Sequence, residues 1–192
     1  VVTAETLSLD TQEFMAIAAA DAVSRGAILL KIKLDRNEIL EKVAAIRAAA
    51  PHATLIIDAN EAWSGLELES LLVALKAFNI AMVEQPLPTG QDHDLQRFKH
   101  PIPVCADESC HTRADIAGLR DRYEMINSKL DKCGGLTEAL AMVEEARARK
   151  MRIMVGCMLG SSLAMEAALP VAVNAEFVDL DGPIWLAADS SP

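Results

Sequence analysis

The chain has 192 residues, with 28 acidic side chains against 18 basic ones and a formal net charge of −10. Hydrophobic residues make up 52% of it, which excludes intrinsic disorder and supplies enough apolar surface for a substantial core. The acidic excess argues against a nucleic acid as partner, and no apolar run approaches the roughly 18 residues that a membrane span requires. At this length, a single domain over residues 1–192 is the default expectation.

The N-terminus and the cysteines both predict a cytoplasmic protein. Residues 1–5 have neither the charged nor the apolar region of a signal peptide, and they lack an initiator Met, so we expect a fragment or a processed product. The four cysteines form no C-x-x-C pair and are too sparse for a disulfide scaffold, which predicts reduced and mostly buried thiols. They are Cys105, Cys110, Cys133 and Cys157.

Short apolar or β-branched runs alternate with amphipathic, Ala-rich stretches along the whole chain. The runs that predict strands are Val1–Glu5, Ile28–Lys33, Thr54–Ala59, Ile80–Gln85, Pro103–Asp107, Met125–Lys129, Arg152–Gly156 and Glu176–Leu180. The clearest helical patterns cover Asn37–Ala50, Leu66–Phe78 and Thr137–Arg149, and the weakest covers Asp92–His100. In the weakest segment, Asp92-His93-Asp94 is interpreted as a solvated loop rather than a metal site. Strands alternating with helices are typical of βαβ units and a parallel sheet.

Eight parallel strands fit either an open, doubly wound sheet or a closed (β/α) barrel. The open sheet would favour a Gly-rich phosphate loop, and no such motif occurs in the sequence. Instead, charged residues end six of the predicted strands, most of them roughly 25 residues apart. They are Lys33, Asp58, Glu84, Asp107, Lys129 and Asp179. One charged side chain per βα unit, at the C-terminal end of the strand, is typical of a barrel active site, so a barrel is predicted.

The strand order gives these charged residues an expected geometry. In an eight-stranded barrel, strands four apart face each other, so Lys33 on the second strand and Lys129 on the sixth are expected to oppose one another. Asp58, Glu84 and Asp107 end the three strands between them. Converging carboxylates raise each other's pKa unless a cation lies among them, and an all-oxygen set favours Mg²⁺ over zinc. The alternative is that each acid pairs separately with a nearby Lys or Arg.

Two pairs of like charges are spaced two residues apart. Lys31 and Lys33 should face the same side of their strand, because side chains alternate along a strand. Asp179 and Asp181 follow the same spacing, and two carboxylates on one face are suited to holding a cationic group.

Five short strings resemble the enolase superfamily, and in particular its muconate-lactonizing subgroup. They are Lys31-Ile32-Lys33, Asp58-Ala59-Asn60, Val83-Glu84-Gln85-Pro86, Ala106-Asp107-Glu108-Ser109 and Lys129-Leu130-Asp131-Lys132. A closer resemblance, to the dipeptide epimerases of that superfamily, rests on Cys105–Thr112, Tyr123–Leu140, Gly156–Leu159 and Asp179–Leu186. The resemblance extends from about Val1 to the C-terminus and implies an α/β fold, a TIM-type (β/α)7β barrel catalytic domain.

The resemblance also implies an activity and a site. The activity is that of an isomerase: Mg²⁺-dependent epimerisation of L-Ala-D/L-Glu-type dipeptides by 1,1-proton transfer through an enediolate, as in recycling of cell-wall peptides. Lys33 and Lys129 would be the acid/base groups, and Asp58, Glu84 and Asp107 the Mg²⁺ ligands. Asp179 and Asp181 would bind the α-ammonium group of the dipeptide, with Lys31 as a further substrate-binding residue. Asn60, Glu108, Asp131 and Lys132 are expected to orient these groups, as partners of metal ligands and bases commonly do.

The sequence departs from this family in its extent. Family members carry an N-terminal capping domain, and nothing here precedes the first predicted strand. An inactive or weakly active truncated barrel is therefore one alternative function. An N-acylamino-acid racemase or a cycloisomerase of the same superfamily is another, although their substrates lack the free ammonium group that Asp179 and Asp181 suit. Apolar surface that a cap would cover predicts self-association into a homo-oligomer.

Overall fold

A computed structural model of the protein describes residues 1–189, which belong to two compact units. The N-terminal unit is formed by residues 5–104, and the C-terminal unit by residues 1–4 together with residues 105–189. In the described residues, no helix has the length and apolar character needed to cross a membrane.

The N-terminal unit is a parallel sheet whose strands are connected by helices. Its elements are β1 (Glu5–Leu7), α1 (Gln12–Ser24), β2 (Leu29–Lys33), α2 (Ile39–Ala49), β3 (Thr54–Asp58), α3 (Leu68–Lys76), β4 (Ile80–Glu84) and a 3₁₀ helix (His93–Arg97). Each strand pairs in parallel with the next one along the chain. The register places Lys33 beside Asp58 and Asp58 beside Glu84, so three charged residues meet at the C-terminal ends of adjacent strands.

The C-terminal unit repeats the same alternation. Its elements are β5 (Val104–Ala106, of which the last two residues lie in this unit), α4 (Arg113–Leu119), β6 (Met125–Ser128), α5 (Leu130–Cys133), α6 (Leu136–Ala148), β7 (Arg152–Val155), α7 (Ser162–Ala172), β8 (Phe177–Val178) and a 3₁₀ helix (Gly182–Trp185). Its strands also pair in parallel and in chain order.

Apolar periodicity explains why these segments form the elements they do. In α3, Leu68, Leu72 and Leu75 are buried at helical spacing, which is the pattern that predicts this helix. In β2, Leu30 and Ile32 are buried on one side of the strand, and Lys31 is buried on the other. The strand is therefore covered on both faces, as in parallel sheets flanked by helices.

Three predictions about elements need correction. The first strand is Glu5–Leu7 rather than Val1–Glu5: Val1 and Val2 are exposed, whereas Leu7 is buried and pairs with Ile32. The weak helical pattern over Asp92–His100 is a short 3₁₀ helix. Asp92 is fully buried, so the loop it begins is not solvated throughout.

Candidate active site

At the C-terminal ends of β2, β3 and β4, two lysines and two carboxylates form what we call the N-terminal cluster: Lys31, Lys33, Asp58 and Glu84. The Lys31 ammonium group lies 3.0 Å from Asp58 Oδ2 and 2.9 Å from Glu84 Oε2, so it bridges the two carboxylates. Lys33 donates a hydrogen bond of 3.0 Å to the same oxygen of Asp58. Because both ammonium groups reach one atom, the prediction that the two lysines face the same side is confirmed.

Burial and charge act in opposite directions on Asp58. Removal from water raises the pKa of its carboxyl group, while the ammonium groups of Lys31 and Lys33 lower it, and the net shift is downward. Asp58 is therefore a stable anion. Asn60 supports the arrangement, since its side chain accepts a hydrogen bond of 2.8 Å from Lys33 and its backbone N–H donates to Asp58 Oδ1 at 3.0 Å.

At the ends of β5 and β6, one carboxylate lies between two lysines, and we call Asp107, Lys129 and Lys132 the C-terminal cluster. Lys129 donates a hydrogen bond of 2.6 Å to Asp107 Oδ2, and Lys132 contacts Asp107 Oδ1. Burial raises the pKa of Asp107, but the two ammonium groups outweigh it and hold that pKa at about 2. This carboxylate is an anion at every pH at which the protein would work.

Asp179 and Asp181 follow β8 and are both buried. Burial raises the pKa of the nearby Cys157 thiol to about 11; a backbone hydrogen bond from Gly182 opposes the shift, and the charges of the two aspartates add to it. The structure therefore brings both predicted ammonium-binding residues near one half-buried thiol. Because β8 ends at Val178, Asp181 lies at the start of the following 3₁₀ helix rather than on the strand.

The remaining predicted residues lie around these groups. Glu108 is half-buried and follows Asp107 directly. Asp131 is exposed, and its carboxylate accepts a hydrogen bond of 3.4 Å from the backbone N–H of Met158. Within residues 1–189 no cysteine forms a disulfide, and three of the four cysteines are buried, which confirms that the thiols are mostly buried.

The sequence did not single out two residues of the C-terminal unit, Gly156 and Asn127, as part of the site. A Cβ atom on Gly156 would lie 2.8 Å from the side-chain amide of Asn127 and 3.1 Å from Cε of Lys129, so the missing side chain leaves the space that both occupy. Asn127 is completely buried within β6. Asn is depleted in strands, and its position directly after Met125 and Ile126 was the available signal for it.

The carboxylates at the strand ends suit a hard cation by their chemistry. Asp58, Glu84 and Asp107 are almost fully buried, and carboxylate oxygens are the ligands that Mg²⁺ prefers. Within residues 1–189, no three His, Cys, Asp or Glu side chains are grouped as a metal site, and lysine ammonium groups contact the carboxylates instead. The pairing of each acid with a nearby lysine is thus the arrangement seen within each cluster.

The chain is similar to known epimerases and racemases. It is 52% identical over 192 residues to the L-Ala-D/L-Glu epimerase of Escherichia coli K12, covering all of this chain and 60% of that protein. It is 48% identical over 186 residues to an N-acetyl-D-glutamate racemase of a Pseudoalteromonas species, covering 97% of this chain and 58% of that protein. The chain therefore spans about 60% of the length of these curated relatives.

Solved structures agree with these similarities. An L-Ala-D/L-Glu epimerase structure superposes with a TM-score of 0.97 at 52% identity, over 100% of this chain and 60% of that one. An Agrobacterium tumefaciens enolase family member with bound sodium and L-Ala-L-Glu gives 0.94 at 51% identity, over 98% and 57%. A Cytophaga hutchinsonii dipeptide epimerase with Mg and D-Ala-L-Val gives 0.92 at 31% identity, over 98% and 54%.

Fold and strand-end residues together define an α/β domain of the enolase-type (β/α) barrel class, which confirms the predicted fold class. Residues 14–183 match the family described as Enolase C-terminal domain-like. The chain belongs to that family, and the resemblance stated from its motifs is confirmed.

Proposed function

We propose that the protein containing this chain is a Mg²⁺-dependent epimerase that inverts the Glu α-carbon of L-Ala-D/L-Glu-type dipeptides. The observation that carries the proposal is the pair of strand-end lysines, Lys33 and Lys129, each held by hydrogen bonds against a buried carboxylate. The 52% identity to an L-Ala-D/L-Glu epimerase supports the same substrate class.

In this proposal, the two lysines perform the proton transfers. One neutral amine removes the α-proton from one face of the substrate, and the other lysine, as an ammonium group, returns a proton to the opposite face. The contacts with Asp58 and Asp107 hold each Nζ at the end of its strand, so neither lysine has to be ordered from solvent before it reacts.

Asp58, Glu84 and Asp107 would hold the metal ion. When bound, Mg²⁺ would neutralise the negative charge that develops on the substrate carboxylate as the α-proton leaves. A Mg complex of a related dipeptide epimerase, and a sodium complex of another relative, support a cation in this role. In the bound state, the lysines that now contact these carboxylates would have to share them with the ion.

Asp179 and Asp181 would bind the α-ammonium group of the dipeptide, because both are buried carboxylates that gain from a cationic partner. Lys31 completes the proposed substrate-binding set, and Asn60, Glu108 and Asp131 orient the reacting groups. We place the reaction in the cytoplasm, in the recycling of cell-wall peptides, on the strength of the resemblance to dipeptide epimerases.

A second candidate is racemisation of an N-acylamino acid, which the 48% identity to an N-acetyl-D-glutamate racemase favours. Its substrate has no free ammonium group for Asp179 and Asp181 to bind. The two candidates therefore differ in what these aspartates do.

Proton NMR in D₂O tests both candidates on the same chain with Mg²⁺. We expect deuterium to replace the Glu α-proton of L-Ala-L-Glu, with little exchange in N-acetyl-L-glutamate. Replacing Asp179 by Asn should raise the KM for the dipeptide and leave exchange in the N-acetyl compound unchanged. Faster exchange in the N-acetyl compound would favour the racemase, and no exchange in either would contradict the proposed function.

Self-association of the chain also stays a proposal. The apolar side chains that would support it are more than half exposed in the C-terminal unit: Met158, Leu159, Leu163, Ile184 and Trp185. Size-exclusion light scattering measures the outcome, and a monodisperse monomer would overturn it.

A further inference from the structure

Lys132 makes an unusual number of contacts for a lysine that is neither a proposed acid/base group nor a proposed substrate-binding residue. Its ammonium group donates hydrogen bonds to the backbone carbonyls of Asp107 at 2.6 Å, Cys110 at 3.0 Å and Asn127 at 3.2 Å, and it also contacts Asp107 Oδ1. Only 13% of the side chain is exposed. An ammonium group has three N–H donors, so these four acceptors use its full capacity.

Local helix geometry explains how Lys132 and Lys129 reach the same carboxylate. Lys129 is the residue before α5, and the backbone N–H of Lys132 donates to the Lys129 carbonyl at 3.1 Å. Residues three apart in a helical turn lie on one face. Both lysines therefore point to Asp107, Lys129 to Oδ2 and Lys132 to Oδ1.

We propose that Lys132 is a positioning residue that fixes the orientation of the Asp107 carboxylate, so that Oδ2 is presented to Lys129 and the carboxylate is held ready to serve as a metal ligand. Because Lys132 binds both the backbone carbonyl and Oδ1 of Asp107, it restrains rotation of that side chain. The inference rests on the proposed function, in which Asp107 is a metal ligand and Lys129 an acid/base group.

Lys132 could act on metal binding by orienting the Asp107 carboxylate or by its positive charge alone, and these two roles predict opposite changes in Mg²⁺ affinity when Lys132 is replaced. A cation next to a metal ligand repels Mg²⁺, so a role limited to charge predicts tighter binding once Lys132 is neutralised. A positioning role predicts weaker binding, because the carboxylate loses the orientation that the ion needs. Removing a group that orients a metal ligand commonly costs about 10- to 100-fold in affinity. The sign of the change therefore decides between the two.

The test compares Lys132→Gln, which keeps two N–H donors, with Lys132→Arg, and uses Lys99→Gln at an exposed lysine as the matched control. Isothermal titration of the full chain measures Mg²⁺ affinity, and circular dichroism checks folding. We expect binding at least about tenfold weaker in Lys132→Gln, an intermediate value in Lys132→Arg, and no change in Lys99→Gln. The planar guanidinium of arginine cannot meet four acceptors arranged around an ammonium group, which explains the intermediate value.

A Lys132→Gln chain that folds and binds Mg²⁺ as tightly as the wild type, or more tightly, would overturn the inference. If that variant does not fold, Lys132→Arg decides, and wild-type affinity there would equally overturn it. A second readout is the ¹⁵N resonance of the Lys129 ammonium group, which should shift in both Lys132 variants and not in the control.

Failure of the proposed function would show differently. If the wild-type chain exchanges no α-proton, the proposed function is contradicted. The Mg²⁺ titration of the variants still tests the positioning role of Lys132. A wild-type chain that binds no Mg²⁺ contradicts the metal assignment, and the Lys129 resonance then decides: an unshifted signal in the variants would overturn the positioning role.

Discussion

The N-terminal cluster combines two lysines with two carboxylates, whereas the C-terminal cluster combines two lysines with one carboxylate. In the N-terminal cluster a buried lysine, Lys31, is shared by two carboxylates, and in the C-terminal cluster a buried carboxylate, Asp107, is shared by two lysines. The proposed acid/base lysines also differ, because the side chain of Lys33 is 40% exposed and that of Lys129 only 9%.

These contacts and exposures indicate that different residues of each cluster serve stability and proton transfer. Buried charges are tolerated when paired, and a group shared by two partners carries the largest penalty if it is removed. Lys31, whose removal would leave Glu84 without this ammonium group, and Asp107, which is shared by two lysines, are therefore expected to matter most for stability. The proposed acid/base lysines, Lys33 and Lys129, are expected to matter most for chemistry.

The largest expected effect is on proton transfer. Lys33→Met and Lys129→Met should each slow epimerisation by about a thousandfold or more, because each removes one acid/base group. Each variant should still exchange the α-proton of the one epimer that faces its remaining lysine. Proton NMR of L-Ala-L-Glu and L-Ala-D-Glu in D₂O measures this, and equal exchange of both epimers in either variant would contradict the two-lysine mechanism.

Loss of the shared lysine should have the next largest effect. Lys31→Met removes the ammonium group that bridges Asp58 and Glu84, so we expect the free energy of unfolding to fall by about 3–5 kcal/mol in urea titrations. Arg152→Met is the control, because Arg152 forms an exposed ion pair with Glu176, and its loss should cost less than about 1 kcal/mol. Similar costs for the two variants would show that Lys31 is not the stabilising group.

The strands and their charged ends were predictable because each βα unit repeats one pattern. The expected runs for β3 and β4 each exceed the observed strand by a single residue, and Asp58 and Glu84 end their strands as expected. Val1 and Val2 show the limit of such reasoning. Both are β-branched residues, which favour strands, but both are exposed. The residue types alone do not show which residues pair with a neighbouring strand.

The contacts within the clusters were not predictable from the same patterns. The Lys31 bridge joins side chains from three strands, and its distances depend on register and rotamer rather than on spacing in the chain. The space at Gly156 depends on where Asn127 and Lys129 lie, and both are more than 25 residues away along the chain. The sequence pattern predicts which strand each residue belongs to or follows. Which side-chain atoms come into contact depends on how the strands and side chains pack.

Asp107 should make stability depend on pH at the acid end. Its pKa is lowered from 3.8 to about 2, so its contribution is present above about pH 4 and is lost as the pH falls through about 2. The contribution at neutral pH is about 2 kcal/mol. In urea titrations, wild type and Asp107→Asn should therefore converge in stability between pH 5 and pH 2, apart from any constant packing cost. A difference that stays constant over this range would contradict the assignment.

The smallest expected effect concerns the space beside Lys129. In Gly156→Ala, the new methyl group would lie 2.8 Å from the Asn127 amide and 3.1 Å from Lys129 Cε. Because these are side-chain atoms that can shift, the free energy of unfolding should fall by about 1 kcal/mol, near the lower end of the range for overpacking. Gly118→Ala in α4 is the matched control, because nothing lies within 4 Å of its added methyl group and Ala favours a helix, so it should stabilise the chain slightly. If the displaced atom is that of Lys129, exchange should slow only for the epimer that faces this lysine, whereas equal slowing of both epimers would point to a general loss of structure.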